Sequence, residues 1–252
     1  MTFDGTQKLI GTGAQAEVFL YHGFAYKVYK ASYPAEWISF EKKQQKEINK
    51  AGLCPVKYYD TDDEHIIKMD LVDGDMLETK INECIQGHPS PAVPDPVTGF
   101  KYLSSAYKFI HAADISGLQI PHLRDTATAG LSEEENKNVL AIINQLSDKM
   151  ENRICHLDMH FLNIMLPREI SGSPDAVDTP YPYTIIDWMN ARIAPPVFDY
   201  ARTYVILNEF SQEALVAFKQ IVLPDVFADG VTEEDFNKAV EVCTILRRQE
   251  KI

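Results

Sequence analysis

ICHLDMHFLNIML, residues 154–166, decides how the rest of this chain is read. Apolar runs ordinarily fill cores, yet this one carries His156, Asp158, His160 and Asn163 among its Ile, Leu, Phe and Met residues. Unpartnered polar side chains are costly to bury. Four of them in so short a run point to a loop held by a core for chemistry rather than to core alone.

Asp158 and Asn163 are five positions apart, with His156 two before the aspartate. The pattern matches the catalytic loop of kinases, and the residue types suit phosphoryl transfer. A hydroxyl attacking a γ-phosphate must be aimed in line and must lose its proton, which a carboxylate can arrange. An amide oxygen can hold Mg²⁺ without adding a second charge beside that base. Such a site needs another carboxylate on the next hairpin. YTIIDWMNARIA supplies Asp187 at the end of a β-branched strand, 24 positions beyond Asn163.

HLDMHFLN resembles the H-G-D-x-H-x-x-N signature of aminoglycoside phosphotransferases, within the wider group of kinase-like small-molecule phosphotransferases that includes choline kinases. His156, Asp158, His160 and Asn163 fall on that motif. IDWMNARIAPPVFDYAR is similar to the same family's second block, with Asp187, Trp188, Ala191, Pro196, Asp199 and Ala201 in register, and YKFIHAADI resembles its helix ending in a histidine, here His111. The resemblance runs from about residue 8 to at least 205. It implies an α+β protein-kinase-like fold in two lobes: a small antiparallel sheet with one helix at 1–72, and a larger, mainly helical lobe at 73–252. It also implies Asp158 as the catalytic base, Asn163 and Asp187 as metal ligands, and His156, His160 and Asp199 as supports of the loop.

Local patterns agree with that division. KLIGTG, AEVFLYH and FAYKVYK read as three strands separated by glycines, and residues 34–51 as a helix opened by Pro34 and closed by Gly52. VKYYD and EHIIKMDLV read as two more strands, and DGDMLETKINECI as a helix. Four prolines make 86–99 a loop, and a helix is expected over 101–112. Ser132 and Glu135 form a capping-box signature ahead of Val139, Ile142, Ile143 and Leu146. Short strands follow at 153–155, 164–166 and 183–186, a long polar turn at 170–182, and helices at 197–208, 211–222 and 233–249.

The first lobe is then expected to hold the nucleotide. Gly11 and Gly13 let backbone N–H groups approach phosphates, although Ala16 stands where a third glycine would complete the motif. Lys27 in AYKVYK is the phosphate-contacting lysine, with Lys30 the lesser candidate, since the two face opposite sides of a strand. Glu41 is its best acidic partner and Glu47 the runner-up. The backbone around Asp70, Leu71 and Val72 would meet the base, with Met69 beside it.

Composition bounds the partners. Acidic residues number 37 against 24 basic, a formal charge of −13, which disfavours nucleic acid and suits a cationic acceptor. Four dispersed cysteines fit a reducing compartment, and no run of residues looks like a signal peptide or a membrane span, so a cytoplasmic protein is expected. The cofactors expected are ATP, with GTP as the alternative nucleotide, and Mg²⁺. The acceptor is the open term. An aminoglycoside or related cationic compound and a housekeeping amino alcohol or sugar are both compatible with the motifs. Ala194 and Pro195 replace a Gly-Asp frequent in the antibiotic-modifying enzymes, and the tail LRRQEKI is basic. A catalytically idle nucleotide-binding module is the remaining alternative. The short Asp187–Asp199 interval leaves little room for the activation segment of a protein kinase.

Overall fold

The computed structural model describes residues 3–168 and 183–250. Five strands form the first sheet: β1 (Lys8–Thr12), β2 (Ala16–Tyr21), β3 (Phe24–Tyr29), β4 (Tyr58–Tyr59) and β5 (Ile66–Asp70). All neighbours are antiparallel, in the order β1-β2-β3-β5-β4. Helix α1 (Ala35–Lys50) crosses between β3 and β4. Its buried residues Ile38, Glu41, Gln45 and Ile48 repeat at helical spacing and form one stripe. Gly52 takes a φ of 74° just past the helix end, a conformation that costs glycine nothing. Ile38 packs with Ala16, Tyr29 and Ile67 into a small core of this lobe.

The second lobe is mostly helical: α2 (Leu77–Ile85), α3 (Pro96–His111), α4 (Leu123–Thr126), α5 (Glu133–Lys149), α6 (Val197–Phe210), α7 (Gln212–Ile221), α8 (Leu223–Ala228) and α9 (Glu233–Gln249). Ser132 and Glu135 cap α5 reciprocally, as their spacing predicts, and Thr232 caps α9 through the Asp235 amide at 3.1 Å. The large core threads Tyr102, Leu103, Tyr107, Ile143, Leu146, Phe198 and Val242 between α3, α5, α6 and α9. Short strands stitch the loop after residue 155 and its neighbours onto this core: β6 (Gly74–Met76), β7 (Arg153–Cys155), β8 (Ile164–Pro167), β9 (Thr184–Ile185) and β10 (Arg192–Ala194). They form a β6-β8-β9 sheet and a β10-β7 pair.

Three expectations need correction. DGDMLETKINECI is not helical throughout, because Gly74–Met76 pairs with β8 and the helix starts at Leu77. Gly74 permits that approach, since a Cβ there would press on the Leu166 carbonyl oxygen. The loop at 86–99 ends early. Asp95 accepts from the Thr98 amide at 2.9 Å and Pro96 opens α3, five residues before the expected start. Helices α4 and α8 and strand β10 were not anticipated; each is short and takes its stability from neighbours more than from its own pattern. The polar turn at 170–182 lies outside the described residues. Among the described residues, no helix is long and apolar enough to cross a membrane.

Candidate active site

Three elements carry the polar residues of the opening stretch to one place. The chain leaves β7, turns through residues 156–160, makes a 3₁₀ turn at Phe161–Asn163 and returns as β8. Leu157 holds the turn with a φ of 58°. Asp199, fully buried on α6, fixes it from behind. Its Oδ2 accepts from the His156 amide at 3.0 Å and its Oδ1 from the Leu157 amide at 2.7 Å. His111 Nε2 at the end of α3 lies 3.0 Å from the same Oδ2. Thr203, one turn along α6, donates to the Met159 carbonyl at 2.6 Å. His156 faces inward, with Nε2 3.0 Å from the Ile186 carbonyl and its ring against Trp188. Burial lowers its pKa, so it serves the loop as a neutral ring.

Asp158 is mostly buried, its side chain 22% exposed. Burial first, and the charge of Asp187 second, push its carboxyl up to about 7, while Arg202 pulls it partly back. That value is suited to a group that must take a proton near neutrality. Asn163 Nδ2 donates to the Asp158 carbonyl at 2.8 Å, committing that end of the amide to the loop and leaving Oδ1 as the end that could hold a metal. His160 Nε2 lies 3.8 Å from Asp158 Oδ2. Burial and the neighbouring His156 bring the His160 pKa down to about 4, so it stands beside Asp158 uncharged.

Asp187 follows β9 in a left-handed conformation with a φ of 63°, which turns its side chain out of the strand. That side chain is 44% exposed and lies 3.5 Å from Lys27 Nζ. The Lys27 charge keeps the Asp187 carboxyl below the ordinary range. Burial would lower the Lys27 pKa, but the charges of Asp187 and Glu41 outweigh it and raise it well above the usual value. Lys27 Nζ donates to Glu41 Oε1 at 2.9 Å, whereas Glu47 accepts from the Gln119 amide at 2.8 Å and sits near Lys50. Glu41 is therefore the partner. Sequence reasoning missed two of its other donors, the hydroxyls of Tyr29 and Tyr58. Tyr29 was discoverable, because it is two residues from Lys27 on one strand and so shares its face. Lys30 is turned elsewhere and clasps the Ala14 carbonyl at 2.6 Å.

Between the lobes lies a cavity of about 190 Å³. Gly11, Lys27, Met69, Asp70, Leu71, Val72 and Asp187 line it, together with Ile10, Val18, Ala25, Met165 and Ile186. Its character is apolar with a charged end, the form of a pocket for a flat ring bearing a charged tail. Leu71 and Val72 lie past the end of β5, so their backbone groups are outside its ladder. The Asp70 carboxylate instead accepts from the Lys57 amide and the Tyr59 hydroxyl, both at 2.9 Å. Gly13 and Glu41 do not line the cavity. Gly13 closes the β1–β2 turn through its N–H to Ala16, at 2.8 Å. A Cβ on Gly11 would meet nothing closer than 3.5 Å and one on Gly13 nothing closer than 3.4 Å, so the fold alone does not demand glycine at either place.

A small antiparallel sheet with one crossing helix, a helical lobe below, and a lysine–glutamate pair facing an aspartate across the gap define the architecture. This is the two-lobed kinase-like fold. Solved structures with this fold match nearly the whole chain. Aminoglycoside phosphotransferase APH(3'')-Id from Streptomyces rimosus superposes with a TM-score of 0.57 at 15% identity, covering 96% of this chain and 93% of its own. An aminoglycoside-3'-phosphotransferase of type VIII gives 0.56 at 16%, covering 94% and 93%. Choline kinase LicA from Streptococcus pneumoniae gives 0.54 at 16%, covering 97% and 85%. No family model and no curated protein matches the sequence. The kinase-like fold is thus shared with small-molecule kinases, at a sequence identity of only 15–16%.

Proposed function

We propose that this protein transfers the γ-phosphate of ATP to a hydroxyl of a small molecule, using Mg²⁺, with residues 1–72 holding the nucleotide and residues 73–252 the catalytic groups. One observation carries the reading: Lys27 is 2.9 Å from Glu41 and 3.5 Å from Asp187, at the charged end of an apolar cavity between the lobes. Solved relatives of this fold include an aminoglycoside 2'-phosphotransferase described as a GDP complex and an amicoumacin kinase with AMP-PNP and Ca²⁺, which support a nucleotide in that cavity and a divalent ion beside it.

The residues fit the metal. Asp187 offers a charged carboxylate and Asn163 the free oxygen of its amide, hard oxygen donors that suit Mg²⁺. Bound there, the ion would neutralise charge on the phosphates. Lys27, steadied by Glu41, would meet the α- and β-phosphates, and the β1–β2 hairpin would cover them. Met69, Val18 and Ala25 would sandwich the base, with the Asp70–Val72 backbone at its edge. Asp158 would orient the acceptor hydroxyl. As that oxygen bonds to the γ-phosphorus, the bond to the β–γ bridging oxygen breaks, ADP leaves, and the hydroxyl proton passes to Asp158.

The test is an ADP-release screen with Mg·ATP against aminoglycosides, macrolides, amino alcohols, sugars, hydroxy acids and a generic peptide. Acceptor-stimulated release with a small molecule supports the reading. Release with the peptide alone, or nucleotide binding without stimulation by any acceptor, overturns it.

A further inference from the structure

A second cavity, of about 170 Å³, opens in the helical lobe where α4, α6, α9 and residues 190–192 meet. Leu157, the residue before Asp158, forms part of its wall. Two of its lining side chains are arginines, Arg192 and Arg202, although the chain as a whole is strongly acidic.

Arg202 is 3% exposed. Its Nη2 donates to Glu250 Oε1 at 2.6 Å, but its Nε is buried without a hydrogen-bond partner. A guanidinium N–H removed from water and left unpaired is a site that an incoming acceptor atom would relieve. Arg192 donates from Nε to Thr126 Oγ1 at 3.0 Å and from Nη1 to the carbonyls of Met189 and Ala191 at 3.1 and 2.8 Å. It forms no ion pair with any described carboxylate. Burial alone brings its pKa down to about 10, as for a cation withdrawn from water with no anion opposite. The cavity lining contains a single carboxylate, Glu250, and Arg202 and Arg247 already hold it.

We propose that this cavity seats an anionic group, carboxylate or phosphate, of the hydroxyl-bearing acceptor, gripped by Arg192 and Arg202 while the hydroxyl reaches Asp158. The inference rests on the phosphotransferase reading above. Arginine's planar fork matches both anions and is only weakly hydrated, so it is suited to this largely buried place. The net charge of the chain suggests a cationic acceptor, but the local charge beside the catalytic loop is the reverse. Leu123, Ala127 and Leu246 supply apolar wall around the arginines, and the volume suits a small compound rather than a multi-ring antibiotic.

The full-length protein with Mg·ATP is offered four matched alcohols: glycerate, glycerol 3-phosphate, choline and glycerol. Glycerate or glycerol 3-phosphate should stimulate ADP release while choline and glycerol do not, and which anion does so separates carboxylate from phosphate. Arg192→Gln should raise the KM of the active anion at least about tenfold with kcat little changed, and Arg202→Met should act in the same direction. Phosphorylation of choline or glycerol with both anions inert overturns the proposal, as does an anion KM that neither variant alters. Calorimetric titration with glycerate and with inorganic phosphate, without nucleotide, separates the two readings. Anion binding that is lost in Arg192→Gln, with no turnover of any alcohol, supports the anion pocket and counts against phosphotransfer. Absence of both anion binding and anionic turnover overturns the pocket.

Discussion

Lys27 Nζ and Asp187 Oδ1 stand 3.5 Å apart, so opposite charges from β3 and from the end of β9 meet across the interlobe cavity. Glu41 is too deeply buried to be the group that moves, being 2% exposed and bonded by Tyr29 and Tyr58 as well as by Lys27. The mobile partner of the pair is therefore Asp187, which a divalent ion can draw away from the lysine. Asp187→Ala should abolish the Mg²⁺-dependent part of ATP affinity, whereas Lys27→Met should weaken nucleotide binding with or without the metal. Calorimetric titration of ATP in Mg²⁺ and in EDTA reads both effects. Unchanged Mg·ATP affinity in Asp187→Ala would remove Asp187 from the metal site.

Asp158 allows a sharper separation of binding from chemistry. It lies outside the walls of both cavities, yet it is the carboxylate held beside Asn163, with Nδ2 to Oδ2 at 3.4 Å. Asp158→Asn preserves size and hydrogen bonding but cannot accept the hydroxyl proton. Turnover should fall by a factor on the order of 10²–10⁴ while ATP affinity stays within about twofold. Single-turnover kinetics with the acceptor identified in the screen, alongside ATP titration, supply the comparison. Near-normal turnover would mean that another group takes the proton.

Asp199 tests the scaffold rather than the chemistry. Its fully buried carboxylate receives the amides of His156 and Leu157 and the His111 ring. Asp199→Ala would leave those donors buried without this acceptor. The loss should be about 3 kcal/mol or more of folding stability, in the range for breaking a buried charged network. Asp199→Asn, which keeps one acceptor, should cost less. Urea unfolding of the two variants checks the ranking, and equal midpoints would show that hydrogen bonding to this side chain does not hold the loop.

The parts of this site that were legible in the sequence are those where chemistry fixes residue type and spacing together. His156, Asp158 and Asn163 sit on one loop, and Asp187 ends the next strand, so local order carried their placement. The choice of Glu41 over Glu47 was open because both lie on α1. The buried stripe of Ile38, Glu41, Gln45 and Ile48 resolves it, since Glu47 is off that phase. Strand β6 was hidden because three residues carry no readable alternation and its partner β8 lies some ninety positions on. Arg192 and Arg202 were not singled out at all. Their cavity is assembled from α4, α6, α9, the start of β10 and the turns that carry Ala129, Leu157 and Asn190, and no single stretch of sequence shows such a convergence.

His160 gives the fold a pH dependence whose sign can be worked out. Folding lowers its pKa from an ordinary 6.5 to about 4, chiefly by burial. Between those values the unfolded chain binds a proton there that the folded chain does not. The contribution of this group is therefore full above about 6.5 and is lost as pH falls toward 4, at about 1.4 kcal/mol per pH unit while the difference persists. Asp158 works in the opposite sense. Its carboxyl, raised from 3.8 to about 7, lets the folded chain hold a proton that the unfolded chain releases, so that contribution is present at low pH and is lost as pH rises toward 7. The two partly cancel in the wild type, and a bare pH–stability curve would conceal both. His160→Gln removes the first and leaves the second. Measured by urea unfolding without nucleotide or divalent ion, the variant should gain on the wild type as pH is lowered from 7 to 4, by up to about 3 kcal/mol. A stability difference that stays constant across that interval would show that His160 is as readily protonated in the folded protein as in the unfolded chain.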